Sequence, residues 1–169
     1  MRKDLPQKLL RELLKNSKRS DRALAKTLKV SQPTITRTRH KLEKDSIDGY
    51  TIIPKWLKAD FKIFAFTFIK SKFKYASVEK SEAAIQKARE WLMKQPNVIF
   101  SAGGEGMGWD GLTVSIHKTY SCYTKFKRKH DSELGDIVDA SQTYVVDLQG
   151  TITKPFHLKY LADISNSQF

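Results

Sequence analysis

The sequence contains a single cysteine, Cys122. No intramolecular disulfide can form, so packing must hold the fold, and a reducing compartment suits it. Cys122 has basic neighbours in Lys118 and Lys125, but a structural thiol is its expected role. No apolar run is long enough to cross a bilayer, and the start of the chain has no signal-peptide core. A cytoplasmic protein with no membrane partner is therefore expected. The four histidines, His40, His117, His130 and His157, are isolated in sequence and pair with no cysteine at zinc spacing. No metal and no cofactor are expected. The one glycine-rich stretch lacks the Gly-Lys-Ser/Thr ending of a phosphate-binding loop, which argues against nucleotide hydrolysis. No nucleophile, base and orienter occur together, so no enzyme is expected.

Acidic residues are also scarce. The 169 residues hold 31 Lys or Arg against 18 Asp or Glu, a net charge of +13, which points to a polyanionic partner. The excess is uneven. Residues 1–60 hold 16 basic against 7 acidic side chains, and residues 61–169 hold 15 against 11. The basic surplus thus concentrates in the first third. A second basic cluster, Lys125, Lys127, Arg128 and Lys129, reads as a solvated helix face that could also touch DNA wrapped around an oligomer.

Within the basic third, SDRALAKTLKVSQPTITRTRHKL (20–42) reads as helix, tight turn, helix. Ser20 is a candidate N-cap, followed by Leu24, Ala25 and Leu28 at helical spacing. Lys29 and Val30 make the turn. Ser31 is a second N-cap, with Pro33 inside the first turn, where a missing N–H costs little. With Ile35 and Leu42 set inward, the outward face carries Pro33, Thr36, Arg37, His40 and Lys44 and no acid. Such a face suits a major groove. Gln32, Thr36 and Arg37 are expected at base edges, and Ser31, Thr34, His40, Lys41 and Lys44 at phosphates. Upstream, Leu5, Leu9 and Leu13 repeat at four, with Asp4 as a candidate N-cap, and complete a three-helix unit. Downstream, Asp48-Gly49 signals a turn, and Tyr50 to Ile53 is β-prone, matching a wing or linker strand ended by Pro54.

The rest of the chain alternates. Residues 61–73 predict a strand, 77–94 a helix, 98–102 a strand, 103–111 a loop, 112–117 a strand, 120–130 a helix, and 143–146 a last strand. This βαββαβ order is ferredoxin-like, with helices on one face of an antiparallel sheet. The other face, bearing Phe64, Phe66 and Phe68 or their alternates, would need covering, most simply by a second copy. The tail from Gln149 to Phe169 could add a strand at 151–161 or pack across a neighbour, with its last residues frayed.

The stretch KLLRELLKNSKRSDRALAKTLKVSQPTITRTRHKLEKDSIDGY (8–50), followed by such a unit, resembles the Lrp/AsnC family of transcription regulators. The resemblance implies an α+β protein with two domains: a winged helix-turn-helix with linker strand at 1–59, and a ferredoxin-like oligomerisation domain at 60–169. It implies double-stranded DNA as partner, a homodimer or higher homo-oligomer, and a possible small-molecule effector such as an amino acid. Two departures stand out. Arg39 occupies a place where the family usually has an aliphatic residue, so its stem would pack while its guanidinium snorkels out. The stretch between Leu42 and Tyr50 is one residue short, with Ser46 near the usual glycine.

The family's effector region typically has a glycine shortly before an aspartate at a strand start. Gly106, Gly108 and Asp110 resemble that pattern with the spacing altered by one. There the glycines would admit a ligand carboxylate to backbone N–H groups, and Asp110 would accept from its ammonium. The other reading is a plain β-hairpin loop whose glycines supply positive φ. For the whole chain the leading expectation is a sequence-specific regulator. The alternatives are a charge-driven architectural nucleic-acid binder without strict sequence preference, and a sensor whose function lies in its second half.

Overall fold

The computed structural model describes residues 4–164 and divides into two compact units. One runs to Ile53 and takes the chain back from Lys154; the other is Pro54–Thr153.

The first unit is built on three helices, α1 (Leu5–Lys15), α2 (Asp21–Leu28) and α3 (Gln32–Asp45). Their apolar stripes meet in one core, where Leu9, Leu24 and Ile35 are fully buried and Leu13, Ala25 and Leu42 nearly so. Ser20 and Ser31 cap α2 and α3 as expected, their hydroxyls accepting from the N–H groups of Ala23 at 3.3 Å and Thr34 at 3.4 Å. Asp4 stands at the start of α1 without a side-chain cap bond. Lys29 closes α2 in the left-handed region with φ of 54°, which frees the chain to turn sharply into α3. Residues 47–55 form no strand, so the expected wing or linker strand at Tyr50–Ile53 is absent. A strand exists through its ladder, and among the described residues no neighbouring segment of this unit offers one. Tyr50 is instead held by its hydroxyl, which donates to Glu43 Oε1 at 2.9 Å.

The tail also differs from expectation. Among its described residues it adds no strand, and its Leu158–Asp163 segment forms a 3₁₀ helix packed on α1; the last residues, expected to be frayed, lie outside the described residues. Leu158, Leu161 and Ala162 fall at helical rather than strand spacing, and Ala162 is buried. Lys15 and Asp163 pair at 3.9 Å. Residues 154–164 thus cluster with the first unit, and the second unit begins at Pro54.

The second unit opens with a 3₁₀ turn, Trp56–Ala59. It continues with β1 (Ile63–Ser71), α4 (Val78–Met93), β2 (Val98–Gly106), β3 (Trp109–His117), α5 (Tyr120–Leu134) and β4 (Val138–Asp147). The four strands form one sheet in the order β2-β3-β1-β4, and every pairing is antiparallel. Alternation along β1 divides the faces. Ile63, Ala65 and Thr67 are buried, with Ile63 and Ala65 packing with Tyr123 of α5. Phe64, Phe66 and Phe68 point the other way and remain half-exposed. Register sets Phe66 between Val114 and Tyr144, and Tyr144 is 68% exposed. The strip 103–111 is not a long loop. Gly103–Gly106 continue β2, Trp109–Gly111 begin β3, and only Met107 and Gly108 turn the corner. Both have positive φ, 50° and 77°, the signature of a tight two-residue hairpin. Among the described residues no helix is long and apolar enough to cross a membrane.

Candidate nucleic-acid interface

The geometry of α3 is set by Asp21, the first residue of α2. Its carboxylate sits at the positive end of that helix and binds two side chains of α3. Arg39 Nε donates to Asp21 Oδ1 at 2.7 Å, and the Thr36 hydroxyl donates to Asp21 Oδ2 at 2.7 Å. Arg39 Nη2 reaches further, to the Arg19 carbonyl at 3.0 Å. Arg19 in turn pairs with Glu12 of α1 and bonds the Thr27 hydroxyl of α2. A chain of charge-assisted bonds thus ties α1, α2 and α3 on the outside of their apolar core. Arg39 does not snorkel into solvent as expected, because Asp21 lies within its reach. Thr36, expected at a base edge, is half-buried and already engaged.

The charged residues exposed on α3 are mainly basic, with Asp45 as the exposed acid at its end. Gln32, Arg37, Lys41 and Lys44 are exposed. Among the described residues no acid pairs with Arg37, Lys41 or Lys44. His40 is also exposed, with Nδ1 3.4 Å from Glu43 Oε2. At the start of α3 the Ser31 and Thr34 hydroxyls lie 2.8 Å apart and close the cap together. The first turn carries no acid, so the positive end of the helix is unscreened. Arg22 and Lys26 of α2 are exposed as well, and neither forms an ion pair among the described residues.

In the second unit the expected effector residues do not share one role. Gly106 lies in β2 just before the hairpin corner, and Gly108 forms the corner itself. Asp110 is committed to its own chain. Its Oδ2 accepts from the Ser71 N–H at 2.9 Å, and its Oδ1 holds Lys74 Nζ at 2.7 Å. The Lys74 ammonium and that N–H pull the Asp110 carboxyl below the ordinary range. Gly108 and Asp110 border an open groove of about 790 Å³, of which Gly106 is not part.

No family profile and no curated protein sequence matches the chain. Solved structures do match. An AsnC family transcriptional regulator from Agrobacterium tumefaciens aligns with a TM-score of 0.73 and 21% identity, over 93% of this chain and 97% of its own. A transcriptional regulator from Neisseria meningitidis, in complex with L-Met, gives 0.73 and 18%, over 92% and 96%. AsnC of E. coli gives 0.67 and 19%, over 90% and 96%. The chain has the AsnC/Lrp fold. At such identities the likeness rests on backbone, and side chains must be read from this chain itself.

On this AsnC/Lrp fold, Ser31, Gln32, Thr34, Arg37, His40, Lys41 and Lys44 gather along α3 as the helical spacing predicts. Thr36 does not join them at the surface. Sequence reasoning missed the partners of Arg39, namely Asp21 and the Arg19 carbonyl, which stand 18 and 20 positions earlier. The available signal was an acid directly after the N-cap of one helix and an arginine on the edge of the next. It also missed the lysines around Asp110, which lie in another segment of the unit.

Proposed function

We propose that this protein is a sequence-specific DNA-binding transcription regulator. In this reading the first unit is a helix-turn-helix, and α3 enters the major groove. One observation carries it: α3 exposes Gln32, Arg37, Lys41 and Lys44, its three cations in no ion pair among the described residues, while the Asp21 clamp fixes the helix against α1 and α2. Arg37 and Gln32 read base edges, and Lys41, Lys44, His40 and the capped end at Ser31 and Thr34 meet phosphates. Thr36 serves as a positioning residue. Solved structures of like fold include transcriptional regulators, which supports this class over an enzyme.

The second unit, in its ferredoxin-like order, is the assembly module. The aromatic face of Phe64, Phe66 and Phe68 covers that of a second copy, and the resulting two-fold symmetry calls for a near-palindromic operator. A small effector acts through the region of Gly108 and Asp110, since a neighbour of like fold is a complex with L-Met.

Selection from a random duplex library at near-physiological salt tests the reading. The expected product is a two-fold motif with half-sites about one helical turn, or a multiple, apart. Tight binding without any motif would favour the architectural alternative. Arg37→Ala should cost about 1–3 kcal/mol on the selected site and relax preference at one base position.

A further inference from the structure

The segment IKSKFKYA (69–76) carries a lysine at every second position, Lys70, Lys72 and Lys74, and Lys80 follows in the first turn of α4. The fold brings all four to the groove beside Gly108, where the only carboxylates are Asp110 and Asp139. Asp110 is satisfied by Lys74 and the Ser71 N–H, and Asp139 faces Lys70 at 3.8 Å. Lys72 donates to the Gly135 carbonyl at 2.6 Å, and the nearby Asp136 carboxylate, which lies outside the groove, is itself held by Lys87 at 2.6 Å. Lys80 makes no ion pair among the described residues. Two positive charges are therefore left over in a groove of about 790 Å³. The ring of Tyr75, 92% exposed, stands on its wall.

We propose that this groove binds a small polyanion, a phosphorylated or polycarboxylate metabolite with at least two negative charges. The proposal deepens the effector reading above and rests on it. A simple amino acid suits the groove poorly. Its ammonium would have to displace Lys74 from Asp110 and would enter a field already positive. A polyanion needs no such exchange. Its charges meet Lys80 and Lys72, and any flat portion lies against Tyr75.

Calorimetry on the full, DNA-free chain tests this, with inorganic pyrophosphate, citrate and L-Met as separate probes at near-physiological salt. The expected result is saturable heat with pyrophosphate or citrate, weakened roughly tenfold or more in Lys80→Glu and in the milder Lys80→Ala. The arm that binds tells phosphate from carboxylate chemistry. Arg37→Ala combined with Lys41→Ala should leave that binding unchanged, since those residues lie on α3. Heat from L-Met alone would keep the effector site and overturn the ligand class. No heat from any probe would overturn both. Anion binding unaffected at Lys80, or abolished by the α3 variant, would place the anion elsewhere and overturn the proposal. A Lys80 variant that loses DNA affinity instead would make the groove wall a DNA contact and likewise overturn it.

Discussion

Arg39 illustrates how a charged side chain comes to sit where an aliphatic one packs elsewhere. It is stabilising here only because Asp21 presents both oxygens, one to Arg39 and one to Thr36. Removing either partner strands the other in a mostly covered position, where side-chain exposure is 16% and 20%. Asp21→Ala and Arg39→Leu should each lower stability by about 1–3 kcal/mol. The double variant should cost less than the sum, by about 0.5–3 kcal/mol. Chemical denaturation of the four proteins of this cycle measures the coupling, and strict additivity would exclude the clamp. The DNA reading adds a second consequence. Arg39→Leu should weaken operator binding even though Arg39 faces the protein, because α3 loses its fixed pitch.

At the scale of elements, the contact between β3 and α5 carries a polar seam. His117 is buried on the helix side of β3, between the rings of Tyr123 at 5.6 Å and Phe126 at 5.2 Å, with Nε2 2.9 Å from the Ser115 hydroxyl. Burial lowers its pKa below the ordinary histidine value. The unfolded chain therefore takes up a proton first as the pH falls. Stability from this site is full above about pH 6.5 and declines below it, with a slope of at most about 1.4 kcal/mol per pH unit. Thermal melts between pH 8 and pH 5 should show that decline, and His117→Gln should flatten it. An unchanged profile in the variant would assign the titration elsewhere. The elements themselves were largely legible, because periodicity is local: the three helices, their two serine caps and the alternation of β1 all read directly from spacing. What escaped was set at a distance. The strip at 103–111 looked like a loop because glycine is rare in strands, yet β2 is an edge strand whose Gly104 and Gly106 meet open space, and within this strip the tight approach is on β3. A Cβ on Gly111 would stand 3.3 Å from the Ala102 carbonyl across the ladder. Tyr50–Ile53 has strand composition but no partner, and composition cannot supply one. The same holds for the candidate site, where the basic face of α3 was visible and the partners of Thr36, Arg39 and Asp110 were not.

For the whole molecule, the proposed assembly rests on the aromatic face of the sheet. Phe66→Glu would place a charge at its centre without touching the helix side. Sedimentation should then show a smaller particle with unchanged secondary structure, and an unchanged mass would rule out assembly through this face. The return of the tail to α1 has a different consequence, one of timing. The 3₁₀ helix at Leu158–Asp163 leaves the ribosome about 140 residues after α1, a delay of roughly 7–30 seconds at ordinary translation rates. Through that interval the three helices exist with one flank of α1 bare. The helical unit thus begins before the second unit and is finished after it, so a nascent chain completes its second unit before its first.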